Sequence, residues 1–333
     1  MIKKKGGFMT QSGLVHILLL DGNGKAKQIT QKALNQWSEQ QGTLWVHLNI
    51  AHPDALNWLN KKSGLEKWAQ EALTNTEESR PRSVIHGDNL LLVLRTLNLT
   101  PRSEPDDLVF LRLFATSHRL ITVSMHPALD FKEITKSFEN NEGPTDINTL
   151  LDTILDTSLN LISDTISDLE DNLDDLEEQI IAGKINEHMS ADLSEILRKC
   201  VVIRRYLSPE REALNALTRQ KTNWFNEIMG QSAFDAWHRM ERIIEDLDLL
   251  HDRTHINQEA LTNEANKRSQ RNMYMLSVMA TLFLPLSFIT GLFGMNVGGI
   301  PLSSSEMGLM IVTIIILLIG LFMLYIFKKL KWI

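Results

Sequence analysis

"YMLSVMATLFLPLSFITGLFGMNVGGIP", residues 274–301, decides how the rest of the chain must be read. Its first 20 residues, Tyr274 to Phe293, contain no Asp, Glu, Lys, Arg or His. At about 1.5 Å of rise per residue, such a run matches a hydrocarbon core of roughly 30 Å. Gly294-Met295-Asn296, two further glycines and Pro301 then interrupt it, too glycine-rich for helix and too apolar for a solvated loop. A second run of the same kind, "GLMIVTIIILLIGLFMLYIF", follows at 308–327. Two membrane-length segments separated by 14 residues are expected to be transmembrane helices rather than buried core helices.

Charge sets the expected orientation. Lys267, Arg268 and Arg271 precede the first span, and Lys328, Lys329 and Lys331 follow the second. The connection between them carries no Lys or Arg, and Glu306 is its one charge. By the positive-inside rule both termini lie in the cytoplasm and the connection outside. Tyr274, Tyr325 and Trp332 suit interfacial anchors at the inner ends. The basic start "MIKKKGGFMTQSG" leads into a short run, "LVHILLL", that reads as a strand rather than a secretory signal. The expectation is a multi-pass protein of the cell's inner (plasma) membrane with lipid as a partner. Cys200 is the single cysteine, which excludes an intrachain disulfide framework. The net charge of −7 gives no reason to expect a nucleic-acid partner.

Mean hydropathy is −0.12 over the whole chain, so the region before the spans must be strongly polar. Residues 1–145 read as an α/β domain. "HILLLDG", "TLWVHLNI", "NLLLVLRTLNL", "DLVFLRLFAT" and "RLITVS" are short and rich in strand formers, and several end at turn residues. Amphipathic helical stretches lie near 53–62 and 65–76, and "GDN" at 87–89 and "SHR" at 117–119 read as turns. The sheet is expected to be mixed or antiparallel. There is no phosphate loop, dinucleotide fingerprint or nucleophile elbow, and no enzyme is expected. His47, His52, His86, His118 and His126 are scattered, which favours structural roles.

"NEGPTD" closes that domain, and residues 146–230 read as an acidic helical hairpin. Leu151, Leu155, Leu159, Ile162, Ile166, Leu169, Leu173, Leu176 and Ile180 recur at three- and four-residue steps. No basic residue lies between Lys136 and Lys184, while Asp164, Asp168, Glu170, Asp171, Asp174, Asp175, Glu177 and Glu178 crowd the polar face. That face either pairs with a basic neighbour, for which "RKCVVIRRYLSPER" at 198–211 is a candidate, or concentrates divalent cations by its field. From Gln231 to Leu284 there is neither glycine nor proline, so one helix of about 54 residues is expected, a stalk at 231–273 continuing into the span at 274–293. The outer loop is then 294–307, the second span 308–327 and the basic tail 328–333.

The first span has two faces. Met275, Val278, Leu282, Leu286, Ile289 and Phe293 are large and apolar, suited to lipid or to the second span. Met273, Ser277, Ala280, Leu284, Ser287 and Gly291 form a stripe of mostly small or hydroxylated residues, suited to a packing interface or to a water-filled path. Two helices cannot enclose a pore, so a conduit would need several copies around an axis. Pro285 inside the span removes one backbone bond and frees the carbonyl of Thr281.

The tripeptide Gly294-Met295-Asn296 after the first of two C-terminal spans, behind a long stalk and an α/β domain, resembles the CorA family of divalent-cation transporters across essentially the whole chain. "ESRPR" at 78–82, "GPTD" at 143–146, "RRYLSPER" at 204–211 and "GLFGMNVGGIP" resemble its ZntB zinc-transporter branch. Met295 is instead the magnesium-type residue, and "NVGGIP" lacks the acidic loop residue of many magnesium-type members. The resemblance implies a funnel-shaped homopentamer with the first span lining the pore. It implies that Gly294 turns the chain, that Asn296 meets the arriving ion with its amide, and that the cargo is a divalent cation, Zn²⁺ first and Mg²⁺, Co²⁺ or Ni²⁺ next. No bound cofactor is expected. His251 and His255, four apart on the stalk with Asp248 and Asp252 adjacent, are a candidate zinc clamp or a simple interhelical pair. The rival reading is a non-transporting, membrane-anchored sensor.

Overall fold

The computed structural model of the chain describes residues 13–330 apart from 76–79, 101–106, 128, 130, 296 and 298–306. The chain divides after Gln258 into two compact units. The first opens with β1 (Leu14–Leu20), β2 (Ala26–Gln28), α1 (Gln31–Leu34), β3 (Thr43–Asn49), α2 (Pro53–Lys61) and α3 (Lys67–Thr74). It continues with β4 (Arg82–His86), β5 (Asn89–Leu97), β6 (Leu108–Ala115), β7 (Arg119–Ser124) and α4 (Lys132–Glu139). Among the described residues seven strands form one sheet, in the order β2-β1-β3-β7-β6-β5-β4. The sheet is mixed: β3 and β7 run parallel, and the other pairs are antiparallel.

Strand alternation explains how both faces are buried. In β3, Leu44, Val46 and Leu48 join Ala55, Trp58, Leu59 and Leu73 of α2 and α3 in one core. Trp45 and His47 point to the other face, where Phe131 packs against both rings. His47 is buried there with Nδ1 2.9 Å from the Thr122 hydroxyl, which also accepts from Trp45 Nε1 at 3.1 Å. Burial, followed by the nearby His16, pushes the His47 imidazole down to about 3, so it is neutral.

Two long helices follow, α5 (Ile147–Ile181) and α6 (Met189–Arg219). Asp146 caps α5 by accepting from the Thr149 N–H at 2.8 Å, and Thr149 Oγ1 accepts from the Asp146 N–H at 3.1 Å. Gly183, with φ of 70°, follows the helix's last turn. The apolar repeat from Leu151 to Leu173 is buried as its spacing predicts, and Ile181 is exposed.

The connection after α6 is tied to the β4–β5 turn. Asp88 accepts from the Asn223 N–H at 3.0 Å and its Nδ2 at 2.7 Å, while the Asp88 carbonyl accepts from Trp224 Nε1 at 2.6 Å. Asn226 then caps α7 (Glu227–Phe293) by accepting from the Met229 N–H at 2.9 Å. This 67-residue helix begins four residues before the expected Gln231, taking in Gly230, and runs through Pro285 to Phe293. The asparagine cap and the burial of Met229 and Ala233 outweigh the glycine's cost of about 1 kcal/mol. The last helix, α8 (Gly308–Lys329), completes the second unit.

Candidate functional site

Among the described residues two helices, the C-terminal part of α7 and the whole of α8, are long and apolar enough to cross a membrane. Within this unit the two faces of the first span part cleanly. Val278, Leu282, Leu286, Ile289 and Phe293 are half-buried, so the greasy stripe packs on the second span, Met275 at its N-terminal end excepted. A Cβ placed on Gly320 of α8 would lie 3.9 Å from Leu286 Cδ1, an ordinary contact. Met273, Ser277, Ala280, Leu284, Ser287 and Gly291 are all exposed, Leu284 by 76%.

Hydroxyls near this uncovered stripe are partly spent on the helix itself. Thr281 Oγ1 donates to the Ser277 carbonyl at 2.8 Å, and Thr290 Oγ1 to the Ser287 carbonyl at 3.0 Å. Pro285 offers no N–H to the Thr281 carbonyl. Counting back from Met273 in the same three- and four-residue steps gives Gln270, Asn266 and Asn263, all exposed. These three amides extend the stripe beyond the apolar run. Sequence reasoning stopped at Met273 because it followed hydropathy, although the step count alone reaches them.

At the C-terminal end of α7 the Gly294 N–H donates to the Thr290 carbonyl at 2.9 Å, closing the last turn. A Cβ on Gly294 would stand 3.1 Å from that same oxygen, so this close approach favours glycine. Met295 is exposed. Asn296 and Glu306 lie outside the described residues, as do Lys331 and Trp332 of the tail.

The first unit answers the question of the acidic helix. Arg253 of α7 sits among three carboxylates of α5: Asp174 at 2.5 Å, Glu177 at 2.6 Å and Glu170 at 3.3 Å. Those hydrogen bonds, Glu177 first and Asp174 next, hold its guanidinium even more firmly charged than usual. Arg239 of α7 pairs with Asp156 at 2.6 Å and donates to Asn160 Oδ1. α7 thus supplies basic partners to α5, while Arg204 of the 198–211 segment turns to Asp248 of α7 at 2.7 Å. Sequence charge density did not single out α7, where two well-placed arginines suffice. Asp164, Asp168, Asp171, Asp175 and Glu178 stay exposed.

His251 and His255 share one side of α7, the first half-buried and the second exposed. His251 Nδ1 is 3.2 Å from Asp252 Oδ1, and Asp248 is committed to Arg204. Among the described residues no group of three or more His, Cys, Asp or Glu is arranged to hold a metal. Cys200 of α6 is buried near Asp248 and His251, and burial pushes its thiol up to about 11, so it is an inert thiol.

Residues 40–329 match the family model described as "CorA-like Mg2+ transporter protein". The divalent cation transporter CmaX of Pseudomonas aeruginosa is 31% identical over 326 residues, 97% of each chain. The zinc transport protein ZntB of Pectobacterium carotovorum is 30% identical over 327 residues, 98% of each. The solved full-length CmaX superposes with a TM-score of 0.83 at 30% identity, covering 99% of this chain and 100% of that one. The CorA magnesium transporter of Methanocaldococcus jannaschii shares the fold, with a TM-score of 0.82 at 20% identity over 96% of this chain and 99% of that one.

Proposed function

The chain belongs to the CorA-like Mg2+ transporter family, whose business is divalent-cation transport, and we infer that its cargo is zinc, carried through a homopentameric pore. One observation carries the route: α7 buries its large apolar stripe on α8 and leaves the stripe from Met273 to Gly291 uncovered. Five copies turning that stripe to a common axis would stack apolar rings at Met273 and Leu284 with hydroxyl rings at Ser277 and Ser287. Asn263, Asn266 and Gln270 would continue the path at the inner end, and Gly294, Met295 and Asn296 form the mouth. Tyr274 to Phe293 carries no carboxylate, and stripping a dication of its water there would cost far more than hydroxyls return. The ion passes largely hydrated, with amides and hydroxyls bonding its water shell.

The relative named as a zinc transporter, 30% identical over nearly the whole chain, supports zinc. Met295, the magnesium-type residue of the tripeptide, favours magnesium, cobalt or nickel as the second reading. Both readings place the spans in the cell's inner membrane with the termini inside, as the loop charges suggest. The His251–His255 pair, beside an Asp248 already committed to Arg204, stays outside this route.

Metal uptake into vesicles holding the purified chain tests the reading, with zinc and magnesium offered singly and together. Asn296→Ala is expected to reduce selective uptake strongly while the oligomer stays intact. Parent-level uptake with unchanged selectivity would show that the mouth is elsewhere, and no uptake by the parent would favour the sensor reading.

A further inference from the structure

Glu210 lies in the middle of α6 with 2% of its surface exposed, one residue after a proline. Its carboxylate oxygen Oε2 accepts from the Arg95 backbone N–H of β5 at 3.0 Å. That N–H is left over by the sheet. β4 pairs with β5 only as far as Arg82 opposite Val93, and Arg95 is the next residue to face the same edge. A side chain from α6 therefore takes the place of a missing strand partner.

The Arg95 side chain shares this junction. Its guanidinium sits 3.6 Å over the Phe110 ring, directly across the ladder, and 4.4 Å over the Tyr206 ring of α6. Its Nη1 donates to the Leu108 carbonyl at 2.6 Å. Among the described residues, the charged and titratable groups around the pair are Arg95 from β5, Asp107 beside the start of β6, Arg112 of β6 at 4.8 Å from the centre of the same Phe110 ring, and Arg205 and Tyr206 on α6 itself. Of these, Arg95 acts on Glu210 directly.

The helix is weak at the same turn. Pro209 has no N–H to give the Arg205 carbonyl, so the α6 ladder is open one residue before the acid. A buried carboxyl, a strand edge it caps and a gap in its own helix thus coincide.

We propose that the Pro209–Glu210 turn is a proton-operated latch: α6 is fastened to the β5 edge while Glu210 carries a proton, and is released when that proton leaves for water. Burial favours the neutral acid and raises its titration to about 8, against the smaller pull of the Arg95 N–H and guanidinium. Once ionised, the carboxylate must reach solvent or draw the guanidinium off the Leu108 carbonyl. Movement to solvent lifts the α6 turn, and the open ladder at Pro209 is where the helix gives, whereas an ion pair with Arg95 that keeps α6 on the strand would overturn the latch. Because Arg204 on the preceding turn holds Asp248 of α7, the latch acts on the helix that carries the proposed ion path.

Hydrogen exchange of the full chain in lipid nanodiscs, corrected for the chemical exchange rate, tests this between about pH 6 and about pH 9. Protection of peptides spanning 203–217 and 89–97 is expected to fall by up to about tenfold per pH unit from about pH 6 to about pH 8 and to level off above that, because one proton is linked to opening. Glu210→Gln, which keeps the acceptor and cannot ionise, is expected to hold protection flat. Flat protection in the parent, or the same loss in the Gln variant, overturns the latch. Infrared difference spectra of the parent give a readout free of mutation: a protonated-carboxyl band should disappear over the same pH range. Absence of that band at about pH 6 overturns the proposal equally.

Discussion

His47 and Glu210 tilt the stability of the soluble unit in opposite directions with pH, and separating them is the sharpest test of its buried electrostatics. The His47 imidazole titrates near 3 in the fold, against about 6.5 in an unfolded chain. Its folded value is depressed, so its contribution is complete above pH ~6.5 and is lost as pH falls toward 3. At about 1.4 kcal/mol per pH unit, the total reaches about 5 kcal/mol as an upper bound. Glu210 titrates near 8, against about 4.5 when unfolded. Its folded state binds the extra proton, so stability falls as pH rises from about 4.5 to about 8, by a similar total.

Between about pH 5 and 6.5 the two slopes cancel, and the parent should show a plateau there. Each single variant should uncover the other group. Glu210→Gln should lose about 2 kcal/mol on acidification across that window, and His47→Gln should gain about 2 kcal/mol. From about pH 6.5 to 8 the parent and His47→Gln should both weaken by about 2 kcal/mol, while Glu210→Gln should not. Urea unfolding of the full chain in detergent, followed by near-ultraviolet circular dichroism, measures all three profiles. Parallel profiles for parent and variants would refute the assignment of these slopes to two buried groups.

Arg253→Ala removes one cation from among Glu170, Asp174 and Glu177, leaving three carboxylates facing one another. It should cost about 1–3 kcal/mol, discounted for a side chain 26% exposed, and high salt should narrow the gap to the parent in the same unfolding assay. Glu306→Gln bears on proton coupling: Asn272 to Phe327 contains this one acid, with no His, Lys or Arg. Relays through a membrane normally use Asp, Glu or His along the way, so any accompanying protons must move on pore water or on the ion's own acidified water. Uptake stimulated by a pH gradient should survive the change, and complete loss of stimulation with basal uptake preserved would assign the proton to Glu306.

What the sequence made legible followed from how much each signal repeats. Twenty apolar residues without a charge can be read in isolation, and so can the two faces of the first span, because helical spacing alone sorts Leu286 toward α8 and Ser287 away from it. The central strands were legible because both their faces are buried and they read as continuous apolar runs. The edges were not. β2 is the three residues Ala26–Gln28, and β4 has a single partner and no fully buried residue, so neither carries a hydrophobic period. The parallel pairing of β3 with β7 joins segments about 75 residues apart in sequence and leaves no local trace.

Charged residues were the hardest to place, for a physical reason. Periodicity locates a side chain on a face, but the partner of a charge is chosen by the register of another element. "DLDLLHDRTHINQE" suggested a metal clamp from its histidines, yet the residue that organises the hairpin is Arg253 between them, reaching a helix about 80 residues away. "SPEREAL" shows the same ambiguity at a finer scale. Glu210 is buried on the β5 edge, whereas Glu212 two positions on is exposed and bonded to the neighbouring Arg211. Composition cannot separate the two glutamates. Rotation about the helix axis by two residues, about 200°, turns one toward the strand edge and the other toward solvent.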